Sequence, residues 1–198
     1  MNIVAYDFDG NPLYDDPKVG PPVSTTVGTF RYLLNHPLSD VVNDTSESAF
    51  CGPTAVAAIA GVAISVVRDA YRSVRHGPNW RSTLDHTPRI TGTYWHETKR
   101  VLEKFGFEGE WENVSGSPTL AAFTDAMSVS SRRDPRAIFV TRHVVAVSGT
   151  QFCDTFSRGK IVDLDDAPGR RKRVKRSLRL TRYSPPLVLL GYRLRRDP

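Results

Sequence analysis

A cysteine that opens a small, apolar helix is the strongest candidate for chemistry in this chain. Cys51 is followed by Gly52 and Pro53, and the small apolar residues 54–60 predict a buried helix. Proline suits the first helical turn, and we expect Gly52 to let the backbone turn sharply. The positive end of a helix dipole favours the thiolate form of a nearby cysteine, which is the nucleophilic form. The alternative is that Cys51 is a small buried hydrophobic residue.

A nucleophilic thiol needs a base, and the chain has five histidines. We expect His36, His76 and His86 to be solvated, because each lies beside proline or glycine or within a loop. His96 falls in a predicted helix, where a packed or surface histidine is more frequent than a catalytic one. His143 differs because it opens the apolar strand His-Val-Val-Ala-Val, so its ring is well placed to face a cleft.

A predicted hairpin brings a carboxylate to His143. A two-residue turn at 148–149 would pair Val147 with Thr150 and His143 with Asp154. Directly opposed residues have Cβ atoms roughly 4.5–5.5 Å apart. A register shifted by two residues keeps both side chains on one face of the sheet, whereas a three-residue loop turns one of them away.

The face that carries Asp154 is expected to be buried, because Phe152 and Phe156 share it. A buried acid needs a partner, and His143 is the obvious one. Cys153 points to the opposite face and is interpreted as structural.

These residues predict a thiol nucleophile at Cys51, a base at His143, and an orienting carboxylate at Asp154 that fixes the imidazole tautomer. The backbone N–H of Cys51 would supply one oxyanion donor. A side-chain donor is expected from the preceding loop, where the candidates are Asn43, Thr45, Ser46 and Ser48.

The elements that must position these groups are helices first and strands afterwards. Further helices are predicted at 29–34, 65–74, 93–105 (with Thr91 or Thr93 as N-cap) and 120–127. Strands are predicted at 107–114, 137–141, 143–147, 151–156, 160–164, 174–180 and 186–194. Residues 79–92 and 128–134 are predicted to be loops. This order predicts an α+β domain whose antiparallel sheet packs on a helical layer.

The predicted organisation is one domain with an N-terminal arm. Residues 1–27, with glycines and prolines and little periodicity, form the arm, with one short strand at 3–6. Residues 28–198 form the domain, divided into a helical half at 28–135 and a β half at 136–198.

Composition is that of an ordinary globular chain of 198 residues, with 39% hydrophobic and 24% charged residues. Two cysteines provide no disulfide framework, which favours a reducing cytoplasm. Neither cysteine has a neighbour at zinc-ligand spacing, so no metal or other cofactor is expected. The chain has no run of eighteen apolar residues and no basic leader, so neither a membrane span nor a secretory signal is expected.

The net charge of +6 is concentrated near the C-terminus, above all in Arg170–Arg182. Such a run can attract nucleic acid or an acidic partner. The alternative is a solvated, charged face of a strand.

The motifs Cys51-Gly-Pro-Thr-Ala at a helix start, His143-Val-Val-Ala-Val at a strand start, and Asp154 on the next strand resemble the papain-like cysteine peptidases. They are most similar to compact members, such as bacteriocin-leader-type peptidases and small bacteriophage-encoded ones. The cathepsin block Cys-Gly-Ser-Cys-Trp is absent, and Thr45 stands where many members have glutamine.

The resemblance implies a papain-like fold and hydrolysis of a peptide or isopeptide bond in a protein or peptide substrate. It also implies a location in the cytoplasm, or in the host cytoplasm or virion for a phage-encoded protein. Two alternatives stay open. One is a catalytically inactive papain-like domain used for binding or virion assembly, and the other is a basic nucleic-acid-binding module.

Overall fold

The computed structural model describes residues 35–183 and two strands nearer the N-terminus. The chain divides into two compact units, Met1–Arg31 and Tyr32–Pro198. In the first unit, β1 (Ile3–Tyr6) pairs with β2 (Pro12–Tyr14) in an antiparallel hairpin. The predicted strand at 3–6 is thus confirmed. The predicted helix at 29–34 and the predicted strand at 186–194 lie outside the described residues.

The second unit is α+β, as predicted. Its described helices are α1 (Cys51–Ala60), α2 (Ile64–His76), α3 (Trp80–Thr83), α4 (Trp95–Lys104), α5 (Leu120–Asp125) and α6 (Val129–Arg132). Its strands are β3 (Phe107–Glu112), β4 (Arg136–Val140), β5 (His143–Ser148), β6 (Gln151–Cys153), β7 (Val162–Asp163) and β8 (Val174–Tyr183). They form one six-stranded antiparallel sheet in the order β3-β8-β4-β5-β6-β7.

Helix α1 lies at the centre of the main core. Residues 52–59 are all buried, and their small side chains let the helix pack closely on β5. The helix ends at Gly61, whose φ of 64° is the left-handed conformation that glycine adopts freely. The core is completed by α2, α4 and the facing side chains of the sheet. A second apolar cluster, which includes Leu120 and Phe152, contains side chains of the other sheet face.

Helix α4 begins differently from the prediction. Its N-cap is Tyr94 and not Thr91 or Thr93, and the Tyr94 N–H donates to Glu97 Oε2 at 2.9 Å. Trp95 is 39% exposed, because it is the first residue of the helix and lies beyond the packed face.

Two segments that were predicted to be loops contain short helices. Residues 79–92 are not a simple exposed loop, because they contain α3 and the buried side chains of Trp80 and Ile90. Residues 128–134 contain α6, which Ser128 caps by accepting from the Ser131 N–H. The predicted strand at 107–114 is confirmed as β3, which pairs with β8 and forms one edge of the sheet.

Among the described helices, no single one is long and apolar enough to cross a membrane. Only α1 and α2 taken together have sufficient length and apolar composition, and the two helices are bent by 112° relative to each other.

Candidate active site

Cys51 is the first residue of α1, where a helix leaves backbone N–H groups unbonded. The first helical hydrogen bond runs from the Thr54 N–H to the Phe50 carbonyl at 3.0 Å. Pro53 has no N–H, so the N–H groups without an intrahelical partner in this turn are those of Cys51 and Gly52. These donors make the start of α1 favourable for a thiolate and for a developing oxyanion.

The surroundings of Cys51 lower the pKa of its thiol. Burial alone raises this pKa, but hydrogen bonding with His143 and with the backbone of Val144, together with the His143 charge, outweighs burial. The backbone of Gly52 adds a smaller contribution in the same direction. The net effect favours the thiolate.

His143 opens β5 directly after a strained turn. Arg142, the residue before it, has a φ of 56°, which is unfavourable for residues other than glycine. His143 Nε2 lies 2.9 Å from Asp154 Oδ2, and both side chains are largely buried. Because Nε2 is engaged by Asp154, Nδ1 is the ring nitrogen left for Cys51.

The pKa of His143 is raised to about 8. Burial lowers this pKa, whereas hydrogen bonds to Asp154 and Cys51 and the negative charges of both residues raise it. The opposite shifts of thiol and imidazole favour a thiolate–imidazolium pair near neutral pH.

The predicted contact between His143 and Asp154 is present, but the predicted register is wrong. Strand β5 pairs with β6 as Ser148 with Gln151 and Ala146 with Cys153, a shift of two residues. The reason is Gly149, whose φ of 59° makes it the first central residue of the turn. Tight hairpin turns need positive φ at that position, so Ser148 stays in the strand. The two-residue shift keeps His143 and Asp154 on one face, and they meet diagonally.

Asp154 is fixed by a tight turn after β6. Its Oδ1 accepts the Ser157 N–H at 2.7 Å, and its own N–H donates to Ser157 Oγ at 3.1 Å. Asp154 is fully buried, but Phe156 is 60% exposed and does not bury it as expected. Phe156 lies beyond the strand, and its ring centroid is 5.0 Å from that of His143.

Gly52 has a role that the sequence did not indicate. It lies within the helix and has no positive φ, so it does not provide the expected sharp turn. A Cβ at residue 52 would lie 2.0 Å from Thr93 Oγ1. Glycine therefore lets the segment before α4 pack directly on the residue after Cys51.

The loop that was predicted to supply an oxyanion side chain is held by the buried Arg68. Arg68 binds Thr45 Oγ1 at 3.0 Å and the Ser48 carbonyl at 2.5 Å. The Asn43 amide donates to the Glu47 carbonyl at 3.1 Å, so Asn43 and Thr45 serve the loop itself. The remaining two candidates, Ser46 and Ser48, are exposed. The identity of the side-chain donor stays a prediction.

Cys153 differs from Cys51 in its exposure and in the direction of its pKa shift. It is fully buried in the main core, and burial raises its pKa to about 12. It therefore serves as an internal reference for Cys51.

His36 corrects one expectation. It is not solvated, because its Nε2 lies 2.7 Å from the Ile59 carbonyl and its ring packs edge-on against Phe107. His76 and His86 are exposed, as predicted.

The basic segment 170–182 begins before β8 and continues along it. Two of its cations are paired with acids, Arg170 with Asp165 at 2.8 Å and Arg179 with Asp134 at 2.5 Å. Throughout residues 35–183, no group of three or more His, Cys, Asp or Glu side chains is arranged to hold a metal ion.

Comparison of the chain with protein-family models, with curated proteins and with solved structures finds no match.

Proposed function

We propose that this protein is a cysteine hydrolase of papain-like type that cleaves a peptide or isopeptide bond. The observation that carries the proposal is the meeting of Cys51, at the start of α1, with His143, whose Nε2 lies 2.9 Å from Asp154 Oδ2. In agreement with this geometry, the pKa of the thiol is lowered and the pKa of the imidazole is raised to about 8. Two groups that shift each other toward opposite charges are characteristic of an activated nucleophile and its acid–base partner.

The arrangement of elements supports a papain-like fold. The cysteine begins a buried helix that packs on an antiparallel sheet. The histidine opens a strand of that sheet, and the aspartate follows the next strand along the chain. This order of residues and elements agrees with the sequence resemblance to that superfamily.

In the proposed acylation step, the Cys51 thiolate attacks the substrate carbonyl carbon, and the C=O π electrons move to oxygen. The N–H of Cys51 stabilises the resulting oxyanion. The His143 imidazolium gives its Nδ1 proton to the leaving nitrogen, the C–N bond breaks, and an acyl thioester of Cys51 remains.

Deacylation uses the same residues in reverse. Neutral His143 takes a proton from water as the water oxygen attacks the thioester carbon. The C–S bond then breaks, which restores the thiolate and the imidazolium together. Asp154 keeps the ring oriented in both steps, because its carboxylate accepts from Nε2.

The test is the rate at which iodoacetamide alkylates each cysteine as a function of pH, followed by mass spectrometry of peptides. We expect Cys51 to react at least roughly tenfold faster than Cys153 at neutral pH, because its thiolate is favoured. In the His143→Ala variant, the apparent pKa of Cys51 should rise, and the alkylation rates of the two cysteines should become more similar. A His86→Ala variant, which removes an exposed histidine, is the matched control. Equal, slow labelling of both cysteines would contradict the proposal.

A further inference from the structure

Two cations lie over exposed aromatic rings at the border of the candidate site. The Arg176 guanidinium carbon is 4.3 Å from the centroid of a Trp95 ring. The Lys172 Nζ is 4.5 Å from the centroid of the Phe156 ring. Trp95 is 39% and Phe156 is 60% exposed, so both rings offer surface to a ligand. We refer to Arg176–Trp95 and Lys172–Phe156 as the rim pairs.

Each rim pair is connected to one of the reacting groups. Trp95 follows Thr93 by two residues, and the Thr93 side chain packs directly on Gly52, the neighbour of Cys51. The Phe156 ring lies 5.0 Å from the ring of His143. Across the sheet, Arg176 is paired with Phe139 and Phe139 with Val144, whose backbone hydrogen bonds with Cys51. The Lys172–Phe156 pair thus contacts the imidazole, and the Arg176–Trp95 pair lies on the row of residues that leads to the thiol.

The Arg176–Trp95 pair stands on a larger aromatic surface. The rings of Trp95 and Trp111 meet edge-on with their centroids 5.3 Å apart, and the centroids of Trp111 and Phe139 are 5.9 Å apart. Phe139 lies on strand β4 and packs against the main core, but it is still partly exposed. An apolar side chain of a ligand can pack on these rings beside a cation.

Several cations at the border of the site have no carboxylate partner in the part of the chain that the structure describes. Within the described residues, neither rim cation forms an ion pair with a carboxylate. Three further cations near the ends of β4, β5 and β8 also lack an acidic partner there: Arg142, Arg173 and Lys175. An approaching ligand thus meets a cationic surface around the thiol and the imidazole.

We propose that the substrate of this site is an acidic peptide. It places an apolar side chain on the Trp95 surface and carboxylates against Arg176 and Lys172. This inference rests on the proposed function, because it assigns the substrate class of the same site. A peptide is favoured over nucleic acid because Arg170 and Arg179, which would extend a phosphate-tracking surface, are paired with acids.

The test measures binding and not turnover, so its outcome is independent of catalysis. Two labelled peptides of equal length, each with a central leucine flanked by either glutamates or lysines, are titrated into the Cys51→Ser protein. We expect the acidic peptide to bind roughly tenfold more tightly, with the difference reduced at high salt. Arg176→Gln and Lys172→Gln should each weaken only the acidic peptide by roughly two- to fivefold. Lys104→Gln, at the far end of α4 from Trp95, is the matched control.

The outcomes separate the two proposals. Acidic-peptide binding that is sensitive to Arg176 and Lys172, together with a reactive Cys51, supports the substrate assignment. The same binding with an unreactive Cys51 would overturn the assignment and leave a peptide-binding surface without hydrolysis. Equal binding of both peptides, no binding of either, or loss equal to that in Lys104→Gln would overturn it. Displacement of the acidic peptide by an oligonucleotide that binds more tightly would also overturn it, in favour of a nucleic-acid ligand. A reactive Cys51 with no acidic preference would leave the hydrolase proposal standing alone.

Discussion

His143 Nε2 and Asp154 Oδ2 lie 2.9 Å apart, although the two residues are not directly opposite in the sheet. This diagonal contact joins the first residue of β5 to the turn that follows β6. It holds the ring that faces Cys51, and its effects can be measured at the imidazole.

The first prediction concerns the titration of His143. Its imidazole should titrate near pH 8, because hydrogen bonds to Asp154 and Cys51 oppose the lowering effect of burial. An Asp154→Asn variant should move the NMR titration midpoint to lower pH, since the imidazolium loses an anionic neighbour. Asp85→Asn, which removes an exposed carboxylate elsewhere, should leave it unchanged. An unaltered midpoint in Asp154→Asn would contradict the assignment.

The same shift has a defined sign for stability. Because the pKa of His143 is raised on folding, protonated His143 stabilises the folded state, and this stabilisation is complete below the ordinary histidine pKa of about 6.5. It is lost as pH rises through about 8. Urea unfolding at pH 6 and pH 9 should show this loss in the wild type and a smaller one in His143→Ala.

The second prediction concerns the packing of Gly52. Alanine is the better helix former by about 0.5–1 kcal/mol, so Gly52→Ala would stabilise an unobstructed helix. Here the new Cβ would overlap the Thr93 side chain, and we expect a net loss of about 1–3 kcal/mol. Thr93→Gly removes the three obstructing atoms and should recover much of that loss in the double variant. Additive effects in this cycle, measured by denaturant unfolding, would exclude the contact.

The third prediction concerns a largely buried ion pair between Arg136 on β4 and Glu112 on β3. Arg136 is almost fully buried, and two of its nitrogens bind the two carboxylate oxygens of Glu112 at 3.0 Å each. Glu112→Gln should cost about 3 kcal/mol of unfolding free energy, because a buried guanidinium loses its counter-charge. Lys99→Gln, which removes a 3.7 Å surface pair with Glu103, should cost less than about 0.5 kcal/mol. Similar losses in the two variants would show that the buried pair contributes no more than the surface pair.

The fourth prediction concerns the turn that sets the register of β5 and β6. Gly149 has a φ of 59°, which costs a β-branched residue more than asparagine. Gly149→Val should therefore destabilise the protein by about 1–2 kcal/mol more than Gly149→Asn. Because this register carries Asp154 to His143, Gly149→Val should also lower the His143 titration midpoint. Equal stability of the two variants would argue against the left-handed turn.

Periodicity was sufficient to predict the α+β class and most elements of the described domain. The core positions Val101 and Leu102 follow helical spacing, and the β5 side chains alternate between the two faces of the sheet. The contact between His143 and Asp154 could be predicted despite the wrong register. Side chains alternate along a strand, so a shift of two residues leaves both side chains on the same face of the sheet.

What the sequence could not predict depends on contacts between distant segments. Nothing local to Gly52 indicates that Thr93 packs on it, and nothing local to Arg68 indicates that it fixes the loop before Cys51. Trp95 and Phe156 are exposed because α4 begins at Trp95 and β6 ends before Phe156. The hydrophobic pattern of the sequence does not determine these element boundaries.

The burial of α1 along residues 52–59 has a consequence for how the protein loses reactivity on heating. A helix enclosed in this way should open only when the whole domain unfolds, so its hydrogen-bonded amides at 54–59 should exchange with deuterium as slowly as any in the described domain. The sulfur is attached to the slowest-opening part of the molecule, and thermal loss of selective alkylation at Cys51 should coincide with global melting instead of preceding it.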